Sequence, residues 1–243
     1  MLRKNDGALD VLIRKLERLA PLDRADRSAL ATLPVRVATA PAGHVLVRDG
    51  EPVDDCCVLI EGYACRHKML ADGRRQIVSF HLPGDALDLQ HLLLARADHN
   101  VQTITAVKVA WVPGDALRRV AAERPVVGAA LWRDTLIDAS VFREWVLNVG
   151  QRGAKARVAH MLCEFAVRRE NAGIGSPERF ELPMTQEHIA DATGLTAIHV
   201  NRMLQALGGD GVIDRDRRRV TITDWGRMRA IAEFDPGYVH LAR

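Results

Sequence analysis

Between Thr185 and Arg219 the sequence gathers side chains suited to anions and to the hydrogen-bonding edges of bases. Arg202 carries a planar fork of donors matching the two major-groove acceptors of guanine. Asn201 or Gln205 can pair with adenine, and Ile198 can touch a thymine methyl. Ala197 and His199 share the start of the same segment. Thr185 and Gln186 can fix a phosphate through hydroxyl, amide or backbone N–H, and Thr196 is grouped with them as a contact residue. Arg215, Arg217, Arg218 and Arg219 follow within five positions, a charge density suited to a phosphate backbone.

Such groups act together only if rigid elements present them. The pattern predicts a helix over Gln186–Thr193, capped by Thr185 and with Glu187 favourable in its first turn. Gly194-Leu195-Thr196 then turns the chain into a second helix, Ala197–Leu207. Its inward face is Val200, Met203, Leu204 and Leu207, which leaves the candidate base readers outside. Helix, tight glycine turn and helix at this spacing make a helix-turn-helix. Val212–Asp214 and Val220–Thr223 flank Arg215–Arg219 and predict a hairpin with a basic tip, so the whole reads as a winged helix. Upstream, Ala154–Arg169 is helical and Phe180–Leu182 a short strand.

The N-terminal half has a different period. After amphipathic helices near Leu9–Leu19 and Arg24–Leu33, glycine turns punctuate short β-rich runs from Val37 to Val112, the mark of an all-β barrel or sandwich. Asp72-Gly73 between Ala64–Leu70 and Arg75–His81 predicts a hairpin. Pro125 opens a long helix reaching Val149, whose apolar residues spread wider than one stripe. One side of the helix is therefore expected to pack on the barrel, and Leu131, Trp132, Leu136, Ala139, Phe142, Trp145 and Val149 are expected at a dimer interface with the same helix of a second subunit. The expected fold class is α+β: N-terminal helices over 1–35, a β-roll over 36–120, the long helix over 121–149, the winged helix over 150–226 and a tail over 227–243.

Composition narrows the function classes. The 243 residues carry 34 basic and 31 acidic side chains, a net charge of +3, so any basic surface must be local. The longest stretch without Asp, Glu, Lys or Arg, Val37–Val47, is too short to cross a bilayer, and the expectation is a cytoplasmic protein. Aromatic residues make up only 5%, too sparse for a single-strand stacking platform. Cys56, Cys57, Cys65 and Cys163 lack a C-x-x-C pairing and read as reduced and structural. His44, His67, His81, His91 and His99 read as packing or surface residues, so no metal or cofactor site is expected. No P-loop, G-x-G-x-x-G or nucleophile–base arrangement is present, and no enzyme is expected.

The chain resembles the Crp/Fnr superfamily of bacterial transcription regulators. The resemblance rests on the spaced barrel glycines, Pro83-Gly84-Asp85, the long helix, Thr185-Gln186-Glu187-His188-Ile189-Ala190 and Gly194-Leu195-Thr196 through His199-Val200-Asn201-Arg202. Phe234-Asp235-Pro236-Gly237-Tyr238 is similar to the ending of a subgroup. It implies a cyclic-nucleotide-binding-type jelly roll, a dimerisation helix and a winged helix. Arg202 falls at the guanine-reading position and Thr185 at a phosphate contact. The implied partners are double-stranded DNA with a palindromic operator, a second copy of the chain and, further, RNA polymerase and a small-molecule effector. Where cyclic-AMP-binding members carry Gly-Glu and Arg-Ser/Thr pairs, this sequence has Asp88-Leu89 and His99-Asn100. Leu89 cannot accept a ribose hydroxyl and Asp88 repels a phosphate, so no cyclic AMP response is expected, and these four residues mark the effector pocket. No cysteine precedes Cys56, so the amino-terminal iron–sulfur cluster of the oxygen-sensing branch is not expected. Two alternatives stay open: a constitutive regulator whose barrel is a scaffold, and a small-molecule or redox sensor acting through protein contacts.

Overall fold

The structure is a computed structural model that describes residues 7–240. The outermost residues of the expected N-terminal segment and tail, 1–6 and 241–243, lie outside the described residues. The described residues divide into two compact units, one built on 7–68 and 80–139, the other on 69–79 and 140–240.

In the first unit, α1 (Asp10–Leu19) and α2 (Arg24–Ala31) precede β1 (Arg36–Ala40), β2 (Val45–Val47), β3 (Asp55–Glu61) and β4 (Ala64–Met69); β5 (Arg75–His81) begins in the segment 69–79, and β6 (Asn100–Thr103) and β7 (Val107–Pro113) follow in the first unit. Two sheets form here, one ordered β1-β7-β3 and one containing the run β2-β6-β4. Val47, Cys57, Leu59, Val101, Val107 and Val109 belong to one buried cluster of this roll. A second cluster joins Cys56, Val58, Ala110 and Val112 to Leu12 and Leu16 of α1, to Leu117 of α3 (Gly114–Glu123) and to Val127, Ala130 and Leu131 at the start of α4 (Pro125–Gln151). Cys56 and Cys57 thus point to opposite faces of one strand, as alternation requires, yet both are buried because helices cover the outer face.

The turn Pro83-Gly84-Asp85 is explained by its neighbours. Gly84 has φ +97°, and a Cβ there would lie 3.0 Å from the Val11 carbonyl of α1. Asp85 accepts the Leu82 N–H at 2.9 Å and pairs with Lys15 at 2.9 Å; Lys15 also meets Asp134 of α4 at 2.7 Å. Burial works against the Lys15 charge, but the two carboxylates outweigh it and the ammonium is held more firmly than usual.

In the second unit, α5 (Ala154–Asn171) packs against α6 (Gln186–Thr193), α7 (Ala197–Gly209) and α8 (Trp225–Ala232). β8 (Arg179–Glu181), β10 (Arg219–Ile222) and β9 (Ile213–Asp216) form a small antiparallel sheet in that order. α8 was not expected: Asp224 caps it by accepting the Arg227 N–H at 2.9 Å, and its inward residues are Met228 and Ala232. Among the described residues no helix is long and apolar enough to cross a membrane.

Candidate nucleic-acid interface

Thr185 precedes α6 in an extended conformation, and its hydroxyl oxygen accepts the His188 N–H at 3.2 Å. His188 Nδ1 in return accepts the Thr185 N–H at 3.3 Å, a capping box closed by histidine where glutamate is usual. Thr196 repeats the device on α7, accepting the His199 N–H at 3.2 Å. A hydroxyl used as an acceptor keeps its hydrogen free for a phosphate oxygen. Gly194 between the helices has φ +67°, a left-handed conformation that L side chains avoid, and its N–H closes α6 on the Ala190 carbonyl.

The inner side of α7 carries Val200, Leu204 and Leu207, all buried, with Met203 half-buried. Opposite them Ile198, Arg202 and Gln205 are exposed at i, i+4 and i+7, on one side of the helix. Ala197, His199 and Asn201 are half-buried beside this row. The Gln186 amide donates to Asn201 Oδ1 at 3.0 Å, so the first turn of α6 is tied to α7. That pairing was not anticipated: sequence spacing gives the faces of each helix but not the rotation of one against the other.

β9 and β10 pair from Arg219–Asp216 to Ile222–Ile213, which narrows the turn to Arg217 and Arg218. Arg215 and Arg219 therefore lie in the strands, and all four arginines are exposed. Arg217 sits at φ +54° and its carbonyl accepts the Arg215 Nε–H at 3.0 Å.

Leu131 and Trp145 correct the expected α4 surface. Leu131, 5% exposed, is part of the core cluster shared with α1 and α3. Trp145, 6% exposed, donates its indole N–H to both carboxylate oxygens of Glu164 at 3.0 Å. The outward stripe is instead Trp132 (70% exposed), Leu136, Phe142 and Val146 (58%), with Ala139 and Val149 half-buried along it. These positions advance by three or four, the spacing of a helix–helix seam.

The four expected effector-pocket residues have separate local roles. Asp88 is fully buried and its Oδ1 accepts the Cys57 N–H at 3.0 Å. Leu89 packs in the cluster beside α1. His99 contacts Asp98, and Asn100 Oδ1 accepts the Asp49 N–H at 3.2 Å. Burial drives the Cys56 and Cys57 thiols well above their usual range and Cys163 up to about 12, the opposite of a reactive thiolate.

A Crp-like helix-turn-helix domain matches residues 156–231, and a cyclic nucleotide-binding domain matches residues 37–124. The chain is 31% identical to the transcriptional activator protein FnrL of Cereibacter sphaeroides, over 84% of each chain. It is 30% identical to the nitrogen fixation regulation protein FixK of Bradyrhizobium diazoefficiens, over 92% of each. The solved structure of FixK2 from Bradyrhizobium japonicum superposes with a TM-score of 0.75 at 26% identity, covering 81% of this chain and 96% of that one. With a β-roll, a long helix and a winged helix in this order, the chain belongs to the Crp/Fnr family of DNA-binding transcription regulators.

Proposed function

We propose that the protein acts as a cytoplasmic homodimer whose two α7 helices enter successive major grooves of a palindromic operator. The observation that carries this reading is the exposed row Ile198, Arg202 and Gln205 on the helix that follows the tight turn. Among the described residues no side-chain partner holds the Arg202 guanidinium, so its fork is available to guanine O6 and N7. Gln205, with Asn201 braced by Gln186 and Ile198 at the outer edge, supplies the remaining base contacts; Ala197 and His199 lie alongside. Thr185, Gln186 and Thr196 hold phosphates beside the groove, and Arg215, Arg217, Arg218 and Arg219 hold them at the wing.

The α4 stripe pairs the two subunits, since a 27-residue helix with exposed tryptophan and phenylalanine needs a second apolar surface. The roll receives a signal other than cyclic AMP, because Asp88 and Leu89 are committed to the interior and offer no ribose or phosphate grip. Similarity to a transcriptional activator supports RNA polymerase as a further partner.

Selection of bound fragments from genomic DNA, followed by binding of Arg202→Ala to the selected site, tests the reading. Arg202→Ala should cost about 1–3 kcal/mol and relax preference at one base pair, symmetrically in both half-sites. Full preference retained at every position would show that α7 docks differently. A uniform weakening across all sequences, with preference unchanged, would make Arg202 a phosphate contact.

A further inference from the structure

In the first unit, the segment between the Pro83-Gly84-Asp85 turn and β6 brings two buried imidazoles and a carboxylate together. His91 lies on the 3₁₀ turn Leu89–Leu92, and Asp98 and His99 stand just before β6. One ligand atom from each of the three lies within 4.8 Å of the others. The His91 and His99 rings stack with centroids 5.5 Å apart. Asp98 is exposed, while His91 and His99 are buried.

His91 is the unusual member. Neither of its ring nitrogens has a hydrogen-bond partner among the described residues. A buried polar group left so costs about 1–3 kcal/mol, and native interiors rarely tolerate it without a purpose. Behind His91, Oδ2 of the fully buried Asp88 lies 3.9 Å from Nδ1 and is itself without a partner among the described residues. A carboxylate behind an imidazole is the order that orients a ligating histidine, and closing this 3.9 Å gap would complete the hydrogen bond to Nδ1 and leave Nε2 to an ion. His99 is similarly framed: Nδ1 lies 2.6 Å from Asp98 Oδ1, and Nε2 lies 3.4 Å from the Gln90 amide nitrogen.

We propose that His91, Asp98 and His99 bind a divalent first-row transition-metal ion of the zinc(II) type, clasping the two ends of the segment 92–97. Two imidazole nitrogens exclude calcium and magnesium, which take oxygen ligands, and favour a borderline ion. Metal–ligand bonds of about 2.0–2.2 Å at tetrahedral angles set ligand atoms about 3.3–3.6 Å apart, so a separation as wide as 4.8 Å must close by about 1.2–1.5 Å and the 2.6 Å Asp98–His99 contact must open by about 0.7–1 Å. Three protein ligands leave a fourth position for water. Charge supports the site: Asp98 and Asp88 together balance a dication. Arg66 is engaged by Asp138 at 2.5 Å and by the Leu87 carbonyl at 2.8 Å, while Lys68 is paired with Asp49 at 2.7 Å and also donates to the Asp98 carbonyl, a cation whose charge the ligand carboxylate shares with the ion. Loading would staple a segment that carries exposed Leu93 and Leu94, giving the roll a metal-dependent surface.

The test uses the full chain, stripped with chelator and titrated with cobalt(II), read by visible ligand-field absorption, and with zinc(II) in competition. Saturation at one ion per chain with displacement by zinc(II) and not by magnesium is expected. Asp98→Asn, at an exposed position that leaves the fold intact, and His99→Gln should each weaken binding by about tenfold or more. His44→Gln, an exposed histidine of the same unit, should change nothing. No saturable binding below about 100 µM, or binding that survives both Asp98→Asn and His99→Gln, overturns the site. Equal displacement by magnesium overturns the ion class. Each of these outcomes is read without DNA and so is separable from the docking of α7.

Discussion

Arg217 shows how a single residue joins two demands that conflict. Its φ of +54° lies where a non-glycine residue pays roughly 1–2 kcal/mol, and a hairpin turn would ordinarily place Gly or Asn there. An arginine at such a position, exposed and between other arginines, fits the phosphate contact proposed for the wing, which glycine could not make. Arg217→Gly should raise stability by about 0.5–1 kcal/mol and at the same time lower affinity for every DNA sequence, flattening the salt slope by about one unit. Urea unfolding and salt-titrated binding on the same preparation check both signs; a loss of stability would mean the turn is held by the arginine side chain. Tyr238 is a second case. Its hydroxyl donates to Glu164 Oε2 at 2.7 Å, closing a buried carboxylate that also takes the Trp145 indole and, at 3.4 Å, Arg168. Burial raises the Glu164 pKa, and the hydrogen bonds and Arg168 work against that rise. Tyr238→Phe removes one charged hydrogen bond and should cost about 1.5–3 kcal/mol with no change in DNA preference. Thermal unfolding alongside site selection separates this from a role in recognition. The sequence resemblance at Phe234–Tyr238 located this motif but not its partner, because Glu164 lies far away in the chain.

At the scale of elements, α6, α7 and the β9–β10 hairpin were legible because caps, a glycine turn and a clean inward face specify them locally. The expected Gln186–Thr193 helix has the observed bounds, and α7 runs two residues beyond the expected Leu207. The sides of α4 were not legible. A helix that is apolar nearly all round shows that more than one surface is covered, but not which stripe its own chain takes. Leu131 and Trp145 went to the interior for reasons three-dimensional contact alone supplies, the helical cover of the roll in one case and Glu164 in the other. α8 was missed because it is only eight residues long, with a glycine near its start. The corrected stripe makes a sharp distinction. Phe142→Glu or Val146→Glu places a charge in the proposed seam twice per dimer, and should weaken association at least tenfold, about 1.4 kcal/mol or more. Trp145→Phe should leave association unchanged while destabilising the fold by about 1–3 kcal/mol, because Glu164 loses its indole donor. Sedimentation equilibrium with urea unfolding distinguishes the two; a dimer weakened equally by both classes would put Trp145 back in the interface.

For the molecule as a whole, the buried histidines tie folding to pH. His160 of α5 is enclosed by Phe234 and Tyr238, with ring centroids at 5.3 Å and 5.8 Å. Burial, reinforced by Arg152, brings its pKa down to about 3. Glu144 lies 3.3 Å from Nε2 and would favour the charged ring, but Arg152 already takes that carboxylate at 2.6 Å. His99 in the roll is lowered in the same direction, to about 4. An unfolded histidine titrates near pH 6.5, so between there and the folded values the unfolded chain binds more protons than the native one. Stability from these two residues is therefore complete above about pH 6.5 and is lost as pH falls through the window toward 4 and 3. Each residue contributes a slope of at most about 1.4 kcal/mol per pH unit. Glu164 acts with the opposite sign: its raised pKa means protonation relieves a burial cost, which offsets part of the loss at the acid end. Urea unfolding at pH 7, 6 and 5 should show stability falling with pH, and His160→Gln should flatten that fall by up to one proton's slope. An unchanged slope in His160→Gln, or a native His160 ring seen charged by NMR at pH 5, would mean that Glu144 and not burial governs the imidazole.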